Sequence, residues 1–346
     1  MAVNRVRYIR KYHSRAYSAV FHGAVAFSEL LRCWKPDRRG VLHTVLNEGR
    51  WSELPGPSPE VSSTPDAGRF PHGSVIIPAH NEAAVIARTL MPLATLAAAG
   101  QLEVIVACNG CTDETASIAR GFDGVTVLEL PQPSKIAALN AGDAAASHWP
   151  RLYVDADVQI GPGTVGGVLS ALASGHVLAA RPAVRFDLQG THHLVRSYYR
   201  TRMLLPTTRS GLWGGGVYGL SREGRQRFQQ FPDLIADDLF VDRLFEPEEK
   251  AVLDVPPAVV CPPRTPKDQV AVLHRVYRGN AEQHGRHGTA SHTLSEVARS
   301  IRGPLSAGNA LVYVGFALAG RRGKARPGAW ERDASTRQPA NGGDPC

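Results

Sequence analysis

The chain reads as an α/β protein with a doubly wound, mostly parallel sheet flanked by helices. Two observations carry that reading. Four short apolar runs, at 74–78, 102–107, 125–130 and 151–154, have the length and composition of buried strands. Each is followed by a polar loop and, between runs, by a segment of helical pattern, the alternation that crossover helices between parallel strands require.

The elements follow in order. Ser74-Val-Ile-Ile-Pro78 is a buried strand, and 83–99 is a helix that Pro92 kinks or breaks. Leu102–Ala107 is the second strand. Thr112 is placed as the N-cap, with Asp113 and Glu114 in the first turn, of a helix running to about Gly121. Val125–Leu130, a helix over 135–146 and Arg151–Val154 complete the series. In such sheets ligands bind beyond the carboxyl ends of the strands, which here means loops 79–82, 108–113, 131–135 and 155–157.

Around this core the sequence divides further. Residues 1–51 are expected to be a helical extension, with apolar positions at Val20, Phe21, Ala24, Val25, Phe27, Leu30 and Leu31. Five prolines between Pro55 and Pro71 make 52–73 a linker. The main domain spans 74–290, as a first half to 157 and a second half from 158. C-terminal helices over 291–320 and a polar tail over 321–346 follow.

Composition narrows the function. The formal net charge of +8 over 346 residues suits a phosphate-bearing substrate, an anionic membrane surface or nucleic acid. Aromatic residues are few and not interleaved with basic ones, so nucleic acid ranks last of the three and is not expected as a partner. Five scattered cysteines without an apolar signal segment argue for a reducing compartment, and the expected location is the cytoplasm or the inner face of the plasma membrane. The longest apolar run, Leu305 to Gly320, is interrupted by Gly308, Asn309 and Gly315 and followed by Arg321, Arg322, Lys324 and Arg326. It is short of a span of about 20 residues. It either lies on an anionic bilayer or packs on the domain.

The chemistry sits in the loops. Loop 78–82 presents the backbone of Pro78 and Ala79 with the side chains of Asn81 and Glu82, groups suited to a base and a ribose. Asn81 and Glu82 could equally start the following helix. Asp155 and Asp157 follow a buried strand, and pleat alternation puts both carboxylates on one side with Ala156 facing away. A hard divalent cation, Mg²⁺ or Mn²⁺, prefers such oxygens and bridges to phosphate. Lys135, after Pro131 and Pro133, could bring an ammonium to donor phosphates. Gly214, Gly215 and Gly216 permit close backbone approach to a ligand. Asp237 and Asp238 open an amphipathic helix, as caps or as a proton acceptor; Asp242, one turn on, is expected in solvent. Cys108-x-x-Cys111 lacks the second pair a zinc site needs and is read as two small residues in a tight loop.

Four of these segments, Val-Ile-Ile-Pro-Ala-His-Asn-Glu at 75–82, Asn-Gly-Cys-Thr-Asp-Glu-Thr at 109–115, Lys-Ile-Ala-Ala-Leu-Asn-Ala-Gly at 135–142 and Asp-Ala-Asp at 155–157, occur in that order. In this the chain resembles family 2 glycosyltransferases of the GT-A fold. The resemblance implies an inverting transferase that uses a nucleoside-diphosphate sugar, a UDP-sugar by preference, and Mg²⁺ or Mn²⁺. It implies that loop 78–82 binds the nucleoside, that Asp157 is the more direct metal ligand with Asp155 nearer ribose and metal, and that 214–216 helps form the acceptor pocket. It implies that Asp238 is the base, with Asp237 in place of the commoner glutamate. Asn109 stands where the family has an aspartate contacting the nucleobase, so the base preference can differ. Arg275 and Arg278 could contact the diphosphate, but the Gln-x-x-Arg-Trp of processive relatives is missing, which favours transfer of one sugar. The tail at 330–337 resembles the ends of bacterial polysaccharide-assembly enzymes and leans toward a sugar or lipid-linked acceptor in surface polysaccharide or glycolipid assembly. Rival readings are a sugar nucleotidyltransferase, whose basic glycine-rich loop after the first strand is absent, and a non-catalytic assembly protein that keeps the fold.

Overall fold

The computed structural model describes residues 70–283 and 290–322, all within the unit Pro65–Cys346. The expected N-terminal helices, most of the linker and nearly all of the tail lie outside the described residues. Seven strands form one sheet: β1 (Ser74–Ala79), β2 (Glu103–Asn109), β3 (Val125–Leu130), β4 (Arg151–Val154), β5 (Ala179–Phe186), β6 (Val217–Leu220) and β7 (Lys250–Val260), in the order β3-β2-β1-β4-β6-β5-β7. Only β6 runs against the rest. The expected mostly parallel α/β sheet is therefore present, and its first four strands match the four apolar runs.

The helices alternate with the strands. In chain order they are α1 (Ile86–Leu90), α2 (Ala94–Ala98), α3 (Thr115–Arg120), α4 (Lys135–Ala145), α5 (Pro162–Ala173), α6 (His193–Arg202), α7 (Pro206–Ser210), α8 (Arg222–Arg225), α9 (Asp237–Asp242), α10 (Pro266–Gln283), α11 (Ala290–Ser300) and α12 (Pro304–Arg321). Pro92 breaks the first helical segment, as expected: a 3₁₀ turn, Met91–Leu93, separates α1 from α2. One boundary differs. Thr112 does not cap α3, which starts at Thr115. Asp113 holds that start instead, its Oδ1 accepting the Thr115 N–H at 3.1 Å while its Oδ2 accepts the Ala83 N–H at 3.1 Å.

Strand alternation divides the interior in two. Val75, Ile77, Val104, Val106, Leu152 and Val154 face one side and pack with Ile86 and Leu90 of α1, Ala116 of α3 and Leu169 of α5. Ile76, Ile105 and Tyr153 face the other and pack with Ile136 and Leu139 of α4, Tyr218 of β6 and Val241 of α9. A further cluster, Val195, Tyr198, Tyr199, Leu273 and Phe316, joins α6, α10 and α12. Among the described residues no helix is long and apolar enough to cross a membrane. Cys108 and Cys111 are free thiols.

The second interior side holds a buried ionic knot. Asp143 of α4 accepts from Arg151 Nη1 at 2.7 Å, Arg225 Nε at 3.0 Å and the Tyr153 hydroxyl at 2.5 Å. Two guanidiniums and a phenol thus share one carboxylate, tying α4 to β4 and α8. Removing one member of a buried pair leaves the others uncompensated, at a cost of about 3–5 kcal/mol. Asp143→Ala is therefore expected to lower unfolding free energy by roughly that amount, read as a drop in the urea midpoint at unchanged slope.

Candidate active site

The sheet itself marks where a ligand fits. β1 pairs with β2 along its whole length, but with β4 only over Ser74–Ile76. Beyond Ile76 the two strands diverge, so the missing N–H of Pro78 leaves no gap in the ladder. The chain order reverses between β1 and β4, and the crevice at such a switch point is the usual ligand site of an open α/β sheet. The loops that close it carry Asn81 and Glu82 on one side and Asp155 and Asp157 on the other.

The loops after β1 and β2 are stitched together. Asn81, at φ 51, accepts the Thr112 N–H through its Oδ1 at 2.7 Å. The Glu82 N–H donates to Thr115 Oγ1 at 2.7 Å. Asn109 is buried; its amide donates to the Ala79 carbonyl at 2.8 Å, and its Oδ1 is buried without a hydrogen-bond partner. Glu82 is also buried. These residues form one rigid wall, with the Ala79 carbonyl bound by Asn109 and approached by the Cys111 thiol. The small-residue reading of the cysteine pair agrees with this packing, and burial pushes the Cys108 thiol up to about 12, which keeps it inert.

Asp155 and Asp157 lie in a turn, not on a strand. β4 ends at Val154, and the Val158 N–H donates to the Asp155 carbonyl at 3.0 Å. The pleat argument for their common side therefore does not apply. Ala156 points into the core and its carbonyl accepts from Thr89 Oγ1 at 2.7 Å, which leaves the two flanking carboxylates near each other outside it. Burial raises the Asp155 carboxyl above its ordinary range, and the Asp237 and Asp157 charges push the same way against Lys135.

Lys135 opens α4, where Ser134 Oγ accepts the Ala137 N–H at 3.1 Å as N-cap. Its ammonium stands 2.7 Å from Asp155 Oδ1 and 2.9 Å from Asp237 Oδ1. Burial alone pulls a lysine down, but the two carboxylates outweigh it and hold the ammonium charged. Asp237 is buried and does not cap α9; its Oδ2 accepts the Tyr218 hydroxyl at 2.9 Å.

Asp238 turns to the glycine loop. Its Oδ2 accepts the Gly214 N–H at 2.5 Å and its Oδ1 the Leu239 N–H at 2.8 Å. Burial, then the Asp237 charge, raises its carboxyl to about 6, against the Gly214 N–H. The other end of the loop meets the Asp-x-Asp turn, where the Asp155 N–H donates to the Gly216 carbonyl at 2.8 Å. Gly214–Gly216 thus bridges Asp238 to Asp155.

Other placements were outside sequence reasoning. Asp242 is not solvated: it accepts the Leu212 N–H at 2.7 Å and pairs with Lys250 at 2.9 Å, because α9 packs onto the segment leading into the glycine loop. Arg202 supports that loop from beneath, donating to the Gly214 carbonyl at 3.2 Å. No local motif flags either; Tyr218 is visible only once β4 and β6 are in register, Tyr153 opposite Tyr218. Arg275 lies on α10, one turn before Gly279, whose position is packed against Ile235 and Ala236 just ahead of Asp237. Arg275 has interactions of its own there.

Among the described residues no three acidic, histidine or cysteine side chains converge as a metal cage. Two carboxylates still fit Mg²⁺ or Mn²⁺ of the kind that is bound by one or two protein oxygens plus substrate phosphates and water. Asp157 is partly exposed, and Lys135 occupies only Oδ1 of Asp155.

Comparison with known proteins agrees with the architecture. Residues 74–223 match the family model described as Glycosyl transferase family 2. No curated protein matches the chain. The mannosyltransferase PcManGT from Pyrobaculum calidifontis, solved in complex with GDP-Man and Mn²⁺, is similar at 21% identity and TM-score 0.52 over 88% of this chain and 96% of that one, which supports the shared fold. S. aureus TarS (17% identity, TM-score 0.43, 72% of this chain and 71% of that one) and glucosyl-3-phosphoglycerate synthase from Mycobacterium tuberculosis (25%, 0.40, 57% and 71%) are looser likenesses.

Gly216 offers a test of the bridge. Its φ is +63, and a Cβ there would lie 2.7 Å from Val158 Cγ2 and 3.0 Å from Asp155 Oδ2. Gly100 has a similar φ of +65 with open space around it. Gly100→Ala should cost only the left-handed strain of about 1–2 kcal/mol. Gly216→Ala should cost more in thermal unfolding; equal costs would show that the Asp155 contact is not tight.

Proposed function

We propose that this chain, whose residues 74–223 match the glycosyl transferase family 2 model, is a glycosyltransferase that moves a single hexosyl group from a nucleoside-diphosphate sugar to an acceptor hydroxyl with inversion. The observation that carries the reading is the meeting of Asp155 and Asp237 on one ammonium, with Asp157 near Asp155 and Asp238 near Asp237, at the crevice between β1 and β4.

In this reading the wall made by 78–82 and 109 receives the nucleoside, UDP by preference. Backbone groups of Pro78 and Ala79, with Asn81 and Glu82, serve the base and ribose, and Asn109, which holds the Ala79 carbonyl, is assigned to base choice. Asp157, with Asp155, would hold Mg²⁺ or Mn²⁺ together with the donor phosphates. When bound, the metal supplies Lewis-acid neutralisation of the departing diphosphate. An anionic donor entering beside four carboxylates and one ammonium calls for such a cation. Arg275 is assigned to the diphosphate from α10.

Asp238 is assigned as the base. Its carboxylate takes the acceptor proton while the acceptor oxygen attacks the anomeric carbon and the bond from that carbon to the diphosphate oxygen breaks. A carboxyl at about 6 is basic enough to accept a proton in flight yet ionised at neutral pH. Asp237, tied to Lys135 and Tyr218, acts as a positioning residue that raises its neighbour's basicity. Gly214, Gly215 and Gly216 shape the acceptor side, with the acceptor a sugar or a lipid-linked sugar of surface polysaccharide or glycolipid assembly.

Calorimetric titration with UDP, GDP and dTDP should give metal-dependent binding of one nucleotide, weakened in Asp157→Asn; binding indifferent to metal and to that substitution would remove the metal assignment. Asp238→Asn should retain nucleotide binding and lose turnover by about 10²-fold or more. The pH profile gives the sign: Asp238 must be ionised to act, so kcat/KM should be level above pH about 6 and fall about tenfold per pH unit below it. A profile flat to pH 5 would assign the base elsewhere.

A further inference from the structure

The described chain exposes eight large aliphatic side chains, and five of them lie in one stretch: Leu294 (57% exposed), Ile301 (45%), Leu305 (73%), Leu311 (74%) and Leu318 (48%). They belong to α11, α12 and the link between them. α12 is two-sided. Tyr313 and Phe316 pack on Tyr198 of α6, at ring separations of 4.9 and 5.6 Å, and Ala310 packs with Leu205 and Val297. The opposite side is bare: Leu311 and Leu318 are seven residues apart, with Gly308 and Gly315 beside them, so the stripe is apolar and nearly smooth.

The charges around this stripe are of one sign. Arg299 and Arg302 stand exposed at the junction of α11 and α12, and Arg321 and Arg322 at the far end of α12, where the exposed Arg321 also lies over the Tyr277 ring at 5.3 Å. The sole acidic residue between 293 and 322 is Glu296, which is buried and accepts from Thr207 Oγ1 at 2.6 Å, so it faces inward. A protein partner would be expected to meet four outward arginines with placed carboxylates. A bilayer meets them with a lawn of phosphates and meets the leucines with acyl chains, which is the pattern of a helix lying in the interface. Among the described residues no helix is long and apolar enough to cross a membrane, so contact through α11 and α12 is one of docking at the surface.

We propose that α11 and α12 form a docking platform for an anionic lipid bilayer, with Leu305, Leu311 and Leu318 entering the acyl boundary and Arg299, Arg302, Arg321 and Arg322 on the headgroups. The platform is joined to the site through α6: Tyr198 holds α12 at one position, and Arg202, one turn on, holds the Gly214 carbonyl. Under the reaction proposed above, this sets the acceptor loop beside a membrane that carries the acceptor. Docking itself does not depend on that reaction.

The test is flotation of the full chain with vesicles of phosphatidylcholine alone or with phosphatidylglycerol, at low and high salt. The wild type should float with the anionic vesicles only, and less at high salt. Leu311→Glu with Leu318→Glu should weaken partition at least about tenfold, with nucleotide binding and the melting curve unchanged. Arg302→Gln with Arg322→Gln should weaken it about fivefold for each arginine removed; this pair alters only exposed heads and decides the matter alone if the leucine variant misfolds. Absence of wild-type binding to anionic vesicles overturns the proposal, as does flotation of the leucine variant equal to wild type. A concentration-dependent dimer in light scattering that the leucine variant abolishes also overturns it and assigns the face to a second copy of the chain.

Discussion

The ammonium of Lys135 holds the site together. Asp155 comes from the end of β4 and Asp237 from the start of α9, 82 residues later in the chain, and both reach the same nitrogen, at 2.7 and 2.9 Å. Without it the two carboxylates, with Asp157 and Asp238 nearby, would face each other in a partly dry crevice where like charges repel more strongly than in water. Lysine suits the position because a compact point charge with three donors can serve two carboxylates at once.

The surrounding frame keeps that arrangement from relaxing. Tyr153 and Tyr218 are opposite each other on β4 and β6 and stack at 5.1 Å. Their hydroxyls point to different carboxylates: Tyr153 donates to Asp143 in the knot with Arg151 and Arg225, and Tyr218 donates to Asp237. One aromatic pair thus couples a structural ion cluster to the candidate site. Both hydroxyls are buried beside carboxylates and raised well above the ordinary tyrosine range, so they remain donors across all working pH.

The glycine-loop side of the site is built differently, from backbone. Gly214 and Gly216 adopt positive φ, and their N–H and carbonyl groups bind Asp238 and Asp155. Arg181 braces the approach to this loop, its guanidinium donating to the Gly211 carbonyl at 2.6 Å and the Thr208 carbonyl at 2.8 Å, and Arg202 braces its start at Gly214. A loop held by carbonyls and amides keeps a fixed shape while leaving room where side chains would otherwise stand.

Much of the first half was legible in the residues, for a local reason. Apolar runs of strand length alternating with helical segments specify parallel strands whatever lies far away, so β1 to β4, the break at Pro92 and the start of α4 could be read from neighbours in sequence. The candidate residues Asp155, Lys135, Asp237 and Asp238 could be named from motifs. Their partners could not. That Lys135 lies between Asp155 and Asp237, that Asp242 turns inward to Leu212 and Lys250, and that Tyr218 serves Asp237 depend on β6 entering the sheet antiparallel beside β4. The sequence by itself determined the alternating elements and the chemical types available at the crevice, because propensity and hydrophobic period act over a few residues. Only the tertiary structure decided which charges meet and which face of α12 stays bare, because those outcomes rest on contacts between segments 20 to 120 residues apart, which no local period records.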